Sequence, residues 1–445
     1  MSGIEVLCFS SPGETRLLAR DSVGPLAICV DRPGLAALTG SIRLGRVVRL
    51  AKNIGAAFID IGEERQGFLP HAEGGEGTAL RVQIQAEAVE DKGPRLTASL
   101  VLSGGLLIYT PSRAGLSCSR KLGEGRGALK AMLAPLMRDG EGVILRSSAI
   151  DAKAEELAEE LTWLRARWAE IEEKTAKSSP PAILFAYPEA AVPFLCDIAG
   201  IGEIRINDVN YLARLRTRLP PGLANRLILD TKLDDECIEA AIDSALSPIV
   251  PLPSGGSLYI EATHALVAID INSGNNKSPD AQAMANFEAA EEIPHQLRLR
   301  NLAGRVLIDF IAGGRAKPEA ALAKLKSKIT GDPTPTHLLG TSPSGLVELV
   351  RERRGISLSA LLCQEQAEST LSPETLALAA LRGAIKVAKQ GGPPRLKLLA
   401  APVLIEVLKR NLSEALAETE TKLGIALILT GEPNRQLPNW EIIAA

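Results

Sequence analysis

Three side chains sit where they cost stability and could do chemistry: Asp270, Asn272 and Asp309. Val267-Ala-Ile-Asp-Ile-Asn272 alternates with a period of two, the mark of a strand with one buried face. Val267, Ile269 and Ile271 take one side; Ala268, Asp270 and Asn272 take the other. Asp and Asn are poor strand formers, so a carboxylate and an amide two positions apart in an apolar strand need a reason. Arg305-Val-Leu-Ile-Asp-Phe-Ile311 repeats the pattern, with Leu307, Asp309 and Ile311 opposite Val306, Ile308 and Phe310. Two carboxylates held close repel unless a cation or a proton sits between them. Oxygen-only ligands favour Mg²⁺ or Mn²⁺ over zinc. A turn-capping role would explain either aspartate alone; two in matching settings favour a metal site.

The elements that must position this pair follow from the same stretch. Ser257–Ile271 reads as two strands joined by a turn at Ala262–His264. Met284 to Arg300 reads as a charged amphipathic helix, with a kink expected at Pro294, which lacks a backbone donor. Strand, helix, strand is a crossover unit that brings both strands into one sheet. Arg351-Glu-Arg-Arg354 falls on a segment read as helical after Gly345. A solvated face explains such a charge run by default; beside a metal site Arg351 and Arg353 could hold phosphates.

The chain has 445 residues, enough for several domains, and apolar content ample for their cores. Its net charge of −3 gives no global basic signature for nucleic acid, so any RNA contact must be local. There is no charged-then-apolar leader, and no apolar run approaches about 18 residues, so a cytoplasmic, membrane-free protein is expected. Cys8, Cys29, Cys118, Cys196, Cys237 and Cys363 lack zinc-knuckle spacing and read as reduced thiols. His71, His264, His295 and His337 form no ligand-spaced cluster.

Residues 1–34 are strand-rich. Residues 35–100 hold five short strands with glycine-bearing turns, the pattern of a small OB-type barrel. Phe58 and Phe68 could there present rings near Arg43, Arg46 and Arg49, as barrels that grip single strands do; burial in the barrel core is the alternative. Arg113-Ala-Gly-Leu-Ser-Cys-Ser-Arg-Lys121 concentrates Arg113, Arg120 and Lys121 in a small-residue loop suited to phosphate. Arg146 and Ser147 end the next strand. Leu157, Leu161, Leu164, Trp168 and Ile171 mark a helix assigned to packing. Residues 364–375 read as a polar linker, and 376–445 as a small α/β module.

Together these motifs resemble the ribonuclease E/G family across nearly the whole chain. The resemblance is carried by Gly55-Ala-Ala-Phe-Ile-Asp-Ile-Gly62 with Gly67-Phe-Leu-Pro70, Leu252-Pro-Ser-Gly-Gly256, Ala268-Ile-Asp-Ile-Asn-Ser273, Asn286-Phe-Glu-Ala-Ala-Glu-Glu-Ile293, Gln296-Leu-Arg-Leu-Arg300 and Val306-Leu-Ile-Asp-Phe-Ile311. It implies a multidomain α/β protein: an RNase H-like domain in two parts (1–34 and 203–250), an OB-type RNA-binding barrel (35–100), a 5′-end sensor (101–202), a DNase I-like catalytic subdomain (251–363), a linker (364–375) and a small C-terminal domain (376–445). It further implies a Mg²⁺-dependent endoribonuclease acting on single-stranded RNA, with Asp270 and Asp309 on the metal and Asn272 orienting the site. Arg146 and Ser147 match the grip on a 5′-monophosphate, with serine in place of the usual threonine, and Phe58 and Phe68 match rings that touch RNA.

The chain departs from the family pattern in four places. Only Cys363 stands near the family's zinc-linking cysteines, so a homo-oligomer without zinc is expected. Ala312 replaces a second aspartate, Pro294 interrupts a helix, and Pro343-Ser344 replaces an Arg-Phe pair. The rival reading is an RNA-binding protein of the same fold with weakened or lost catalysis; a phosphatase would leave the barrel unexplained.

Overall fold

The computed structural model describes residues 3–33, 38–72, 74–88, 93–263, 265–275, 278, 280–313, 317–330, 332–364, 367–392 and 395–445. Ile4–Ser11, Glu14–Arg20 and Pro25–Asp31 form an antiparallel meander. The chain then leaves this sheet, builds two further units, and returns. Ile201–Ile206 pairs in parallel with Ile4–Ser11, and Leu227–Leu229 in parallel with Ile201–Ile206. The strand-rich reading of the start holds.

The first excursion is a closed five-stranded barrel. Ile42–Ala51 pairs with Ala56–Asp60, that with Gly67–Pro70, that with Arg95–Thr97, that with Ala79–Ala86, and that with Ile42–Ala51 again. This closure is consistent with an OB-type domain. Val47, Ile59, Ile61, Leu69, Val82, Ile84 and Leu96 fill the interior. Gly45 and Gly67 are required by its narrowness: a Cβ on Gly45 would overlap the Ile59 side chain, and one on Gly67 the Leu96 side chain.

The second excursion is a four-stranded sheet, Leu102–Ser103, Leu107–Tyr109, Gly142–Leu145 and Gly115–Cys118, backed by the long helix Ala154–Lys177. Leu157, Leu161, Leu164 and Ile171 are buried as the spacing requires. Glu160 is buried among them, which the apolar pattern did not announce. The chain exits through Ala182–Phe185, which pairs with the barrel strand Ile42–Ala51.

Residues 249–351 build a six-stranded sheet in the order Ile249–Pro251, Ser257–Ala262, Val267–Asn272, Gly304–Asp309, Val347–Arg351, Thr336–Thr341. Only Val267–Asn272 and Gly304–Asp309 run parallel, joined by the helix Ala281–Leu299 as the crossover grammar requires. Ala285, Ala289, Ala290, Ile293 and Leu297 of that helix lie on Leu258, Ile260, Ile269, Ile271, Val306 and Ile308. On the opposite face Tyr259, Asp270, Asn272 and Asp309 are exposed and Ala268 and Leu307 half-buried. The turn between Ser257–Ala262 and Val267–Asn272 falls within 263–266; His264 lies outside the described residues.

Three local expectations are corrected. The helix Ala281–Leu299 runs on through Pro294 as one helix and is not interrupted there, with Ile293, Pro294, Gln296 and Leu297 all buried. The segment after Gly345 is a strand, Val347–Arg351, held between Gly304–Asp309 and Thr336–Thr341. The presumed linker is structured: Ala367–Leu371 pairs with Cys363–Gln364, and a helix capped by Ser372 runs over Pro373–Lys389. The final module adds Leu396–Ala400, flanked by Ile428–Gly431 and Trp440–Ala444. Its helix docks on the first sheet through Arg382, which donates to Glu14 at 2.9 Å. Among the described residues no helix is long and apolar enough to cross a membrane.

Candidate active site

The neighbouring parallel strands put Asp270 directly opposite Asp309 in register. Adjacent strands lie about 4.8 Å apart, and side chains at registered positions project to the same face. Both carboxylates are exposed on the side away from the helix. Among the described residues neither makes an ion pair or a side-chain hydrogen bond. Asn272 follows on the same face, and its Oδ1 accepts from the Gly274 amide at 2.8 Å, so it also closes the turn beyond the strand. That turn is tight: a Cβ on Gly274, at φ 63°, would overlap the Gly255 carbonyl.

Two residues that fix the ends of these strands were visible only as parts of a motif. Asn286 is fully buried; its Nδ2 donates to Ile311 O at 2.9 Å and its Oδ1 accepts from Ile311 N at 3.0 Å. The backbone just past Asp309 is thereby clamped to the crossover helix. Glu288 accepts from Ser254 N at 3.0 Å and Ser254 Oγ at 2.8 Å, tying the loop before the sheet to the same helix. A buried amide at an inward helical position was the available clue for Asn286.

Phe58 and Phe68 are on the barrel's outer wall, not in its core. They face each other across neighbouring strands, edge to face, with centroids 5.9 Å apart. The Arg49 guanidinium lies 4.5 Å from the Phe58 centroid, and Arg95 is registered opposite Phe68. Cation, ring, ring, cation therefore run across four strands.

Arg146 donates to Gly104 O at 2.8 Å and to Asp197 Oδ1 at 2.7 Å; Arg354 lies 3.6 Å from the other Asp197 oxygen. Ser147 beside it is exposed. The loop that receives Arg146 is pinned by Glu160, which accepts from the amides of Leu106 and Leu107, both at 2.7 Å. Burial pushes the Glu160 carboxyl up to about 7, against the opposing pull of those amides and of Arg146. Asp197 and Arg354 also line a 640 Å³ cleft where the first sheet, the barrel and the later sheet meet, together with Ile28, Gln83 and Phe194.

Of the remaining cations, Arg113 and Arg353 are exposed. Lys121 reaches Asp332 O at 3.5 Å. The side chain of Arg120 lies outside the described residues. Arg351 is corrected: it is 2% exposed and held by Asp332 at 2.9 Å and by Leu302 O at 2.8 Å, so it braces the sheet and has no free edge for phosphate.

The Ribonuclease E/G family model matches residues 101–354, more than half of the chain. The chain belongs to that family. It is 29% identical to Ribonuclease G of Salmonella typhimurium (strain SL1344) over 99% of each chain. It is 28% identical to Ribonuclease G of Haemophilus influenzae over 95% of this chain and 96% of the relative. To Ribonuclease E of Escherichia coli (strain K12) it is 33% identical over 74% of this chain and 35% of that longer protein. The matched family segment contains Arg146, Asp270, Asn272 and Asp309, and ends just past the strand that carries Arg351.

Proposed function

We propose that the chain is an endoribonuclease that cuts single-stranded RNA at Asp270 and Asp309 with a divalent cation, Mg²⁺ or Mn²⁺. The observation that carries this is the register of the two aspartates on one exposed face, with no ion pair or side-chain hydrogen bond to either among the described residues. Like charges opposed across strands are destabilising, so the arrangement asks for an outside cation. The donor set fits Mg²⁺, which keeps several waters and is bound by one or two carboxylates plus substrate phosphate. Among the described residues no third His, Cys, Asp or Glu joins them to close a cage, and an open shell is what a substrate-bridging ion needs. Such an ion lowers the pKa of bound water and neutralises charge developing on the phosphate. Asn272 shapes the strand end, Asn286 fixes the backbone beyond Asp309, and the barrel's ring-and-cation wall holds the strand being cut.

The sheet at 249–351 then corresponds to the DNase I-like subdomain. The first sheet, with three antiparallel strands followed by two parallel ones, corresponds to the RNase H-like domain. Arg146 and Ser147 serve as the grip on a 5′-monophosphate, since the guanidinium keeps N–H donors beyond those given to Gly104 and Asp197. A labelled single-stranded RNA incubated with Mg²⁺ or with EDTA tests the main claim: products only with the metal are expected, and none in either case favours a binding protein without catalysis. RNA with a 5′-monophosphate should be cut faster than RNA with a 5′-hydroxyl, and Arg146→Ala should narrow the gap. Equal rates in the parent would remove the sensor from the reading.

A further inference from the structure

The sheet face that carries the aspartates does not end with them. Ile249 is registered with Tyr259, Tyr259 with Asp270, and Asp270 with Asp309. These four form one row across four strands, on the side opposite Leu258 and Ile260, which go to the core. Tyr259 is 43% exposed and Ile249 52% exposed. The Tyr259 hydroxyl makes no hydrogen bond among the described residues, and Ser257 and Glu261, its same-face neighbours along the strand, contribute no other ring. A tyrosine that neither fills the core nor anchors its hydroxyl stands one strand from the acidic pair.

We infer that Tyr259 is the stacking platform for a base adjacent to the phosphate being cut, with Ile249 extending its apolar surface. This rests on the nuclease reading above and adds a substrate-positioning residue to it. Two carboxylates cannot by themselves orient an RNA strand; they repel its phosphates unless a cation intervenes. An open ring holds any base, because every base has a π-face, and sheet-face aromatics are a recurrent means of holding splayed single-stranded bases. One strand spacing, about 4.8 Å, separates the ring's position from that of Asp270. A base stacked on the ring therefore leaves its own backbone over the aspartates.

The test places 2-aminopurine at each position in turn along a single-stranded oligoribonucleotide and reads its fluorescence on binding with Ca²⁺ in place of Mg²⁺, so that the carboxylates are screened. The parent and Tyr259→Phe should quench one position or two neighbouring ones beyond any quenching by the barrel rings, and Tyr259→Leu, which keeps an apolar side chain on the strand, should not. In Mg²⁺, Tyr259→Leu should lower kcat/KM about tenfold, within the range for losing one base–aromatic stack. An abasic nucleotide at the quenched position should cost the parent about as much and cost Tyr259→Leu nothing further. Identical quenching by the parent and Tyr259→Leu at every position, with equal abasic penalties, would overturn the inference. Asp270→Asn separates the two claims: if it still cuts, the nuclease assignment of the pair falls, while the quenching pattern still decides whether the ring holds a base.

Discussion

Charge is handled in opposite ways at two places in this molecule. Glu14 is 2% exposed and is surrounded by cations: Arg16, Arg32 at 2.7 Å and Arg382 at 2.9 Å all donate to it. Arg16 and Arg382 share Glu239 as well, at 2.6 and 2.9 Å, and Arg32 continues to Leu361 O and Thr375 Oγ1. This hub binds the first sheet, the helix Glu236–Leu246, the short helix Leu358–Leu362 and the helix Pro373–Lys389 into one body. Asp270 and Asp309 are the reverse: same sign, side by side, exposed and, among the described residues, unmatched. A buried charge is tolerable only when the chain supplies its partners. Where the described residues supply none and leave the groups in water, a partner from outside is called for, which on the proposed function would be a divalent cation and the RNA it serves.

The sharpest way to break this contrast is to neutralise one member of each cluster. Asp270→Asn should reduce metal-dependent cleavage by more than about 100-fold, beyond what removing a residue that merely orients a metal ligand usually costs. Its fold should hold, or gain up to about 1 kcal/mol, because a like-charge cross-strand pair has been relieved. Cleavage assays paired with urea unfolding check both halves. Lost activity accompanied by unfolding would make the pair architectural and erase the difference.

Glu14→Gln should behave conversely. It leaves three guanidinium groups facing a neutral amide and should cost about 3–5 kcal/mol in urea unfolding, with cleavage per folded molecule unchanged. Burial pushes the Glu14 carboxyl up, but Arg16, Arg382 and Arg32 outweigh it and hold the group below the usual range. A depressed folded value means the stabilisation is complete above the unfolded value, about 4.3, and is lost as pH falls below it. The parent's stability should therefore drop on acidification in a way that Glu14→Gln does not.

Glu160 lies between the two extremes, buried but satisfied by backbone amides rather than by a close cation. Its carboxyl, pushed up to about 7, binds a proton more tightly folded than unfolded. The sign is thus inverted relative to Glu14: the contribution is complete below about 4.3 and is lost as pH rises towards 7. Glu160→Gln should flatten the stability profile across that interval, read from unfolding midpoints in a pH series. A profile that still falls there would place the titrating group elsewhere.

The site's elements were legible because their cause is local. Period-two alternation around Asp270 and Asp309 requires one covered face, and an intervening helix requires a parallel return, so register followed once the sheet formed. The barrel was legible for the same reason, its strands being short, sequential and divided by glycines. The hub was not, because Glu14 and Arg382 are 368 positions apart and nothing in either neighbourhood points to the other. Arg351 misled for a related reason. A dense run of charge reads as a solvated helix until Asp332, 19 residues earlier, buries its guanidinium in an ion pair. Tyr259 was one apolar position of a strand until pairing set it beside Asp270.

The smallest expected effect concerns a third way of holding charge, on the barrel wall, where Arg49 sits against a ring rather than a carboxylate. A cation over an exposed ring contributes only about 0.5–1 kcal/mol, so Arg49→Ala should leave the barrel folded. Its cost should appear in RNA binding instead, as a weakening of a few fold that is uniform across sequences, because a guanidinium near a backbone carries no base information. The dependence of log Kd on log salt should flatten by about 0.7 for one lost phosphate contact on a single strand. Binding titrations of single-stranded RNA at several salt concentrations measure both quantities. An unchanged slope would mean that Arg49 serves Phe58 alone, and would move this wall from the charges that await an outside partner to those the chain has already matched.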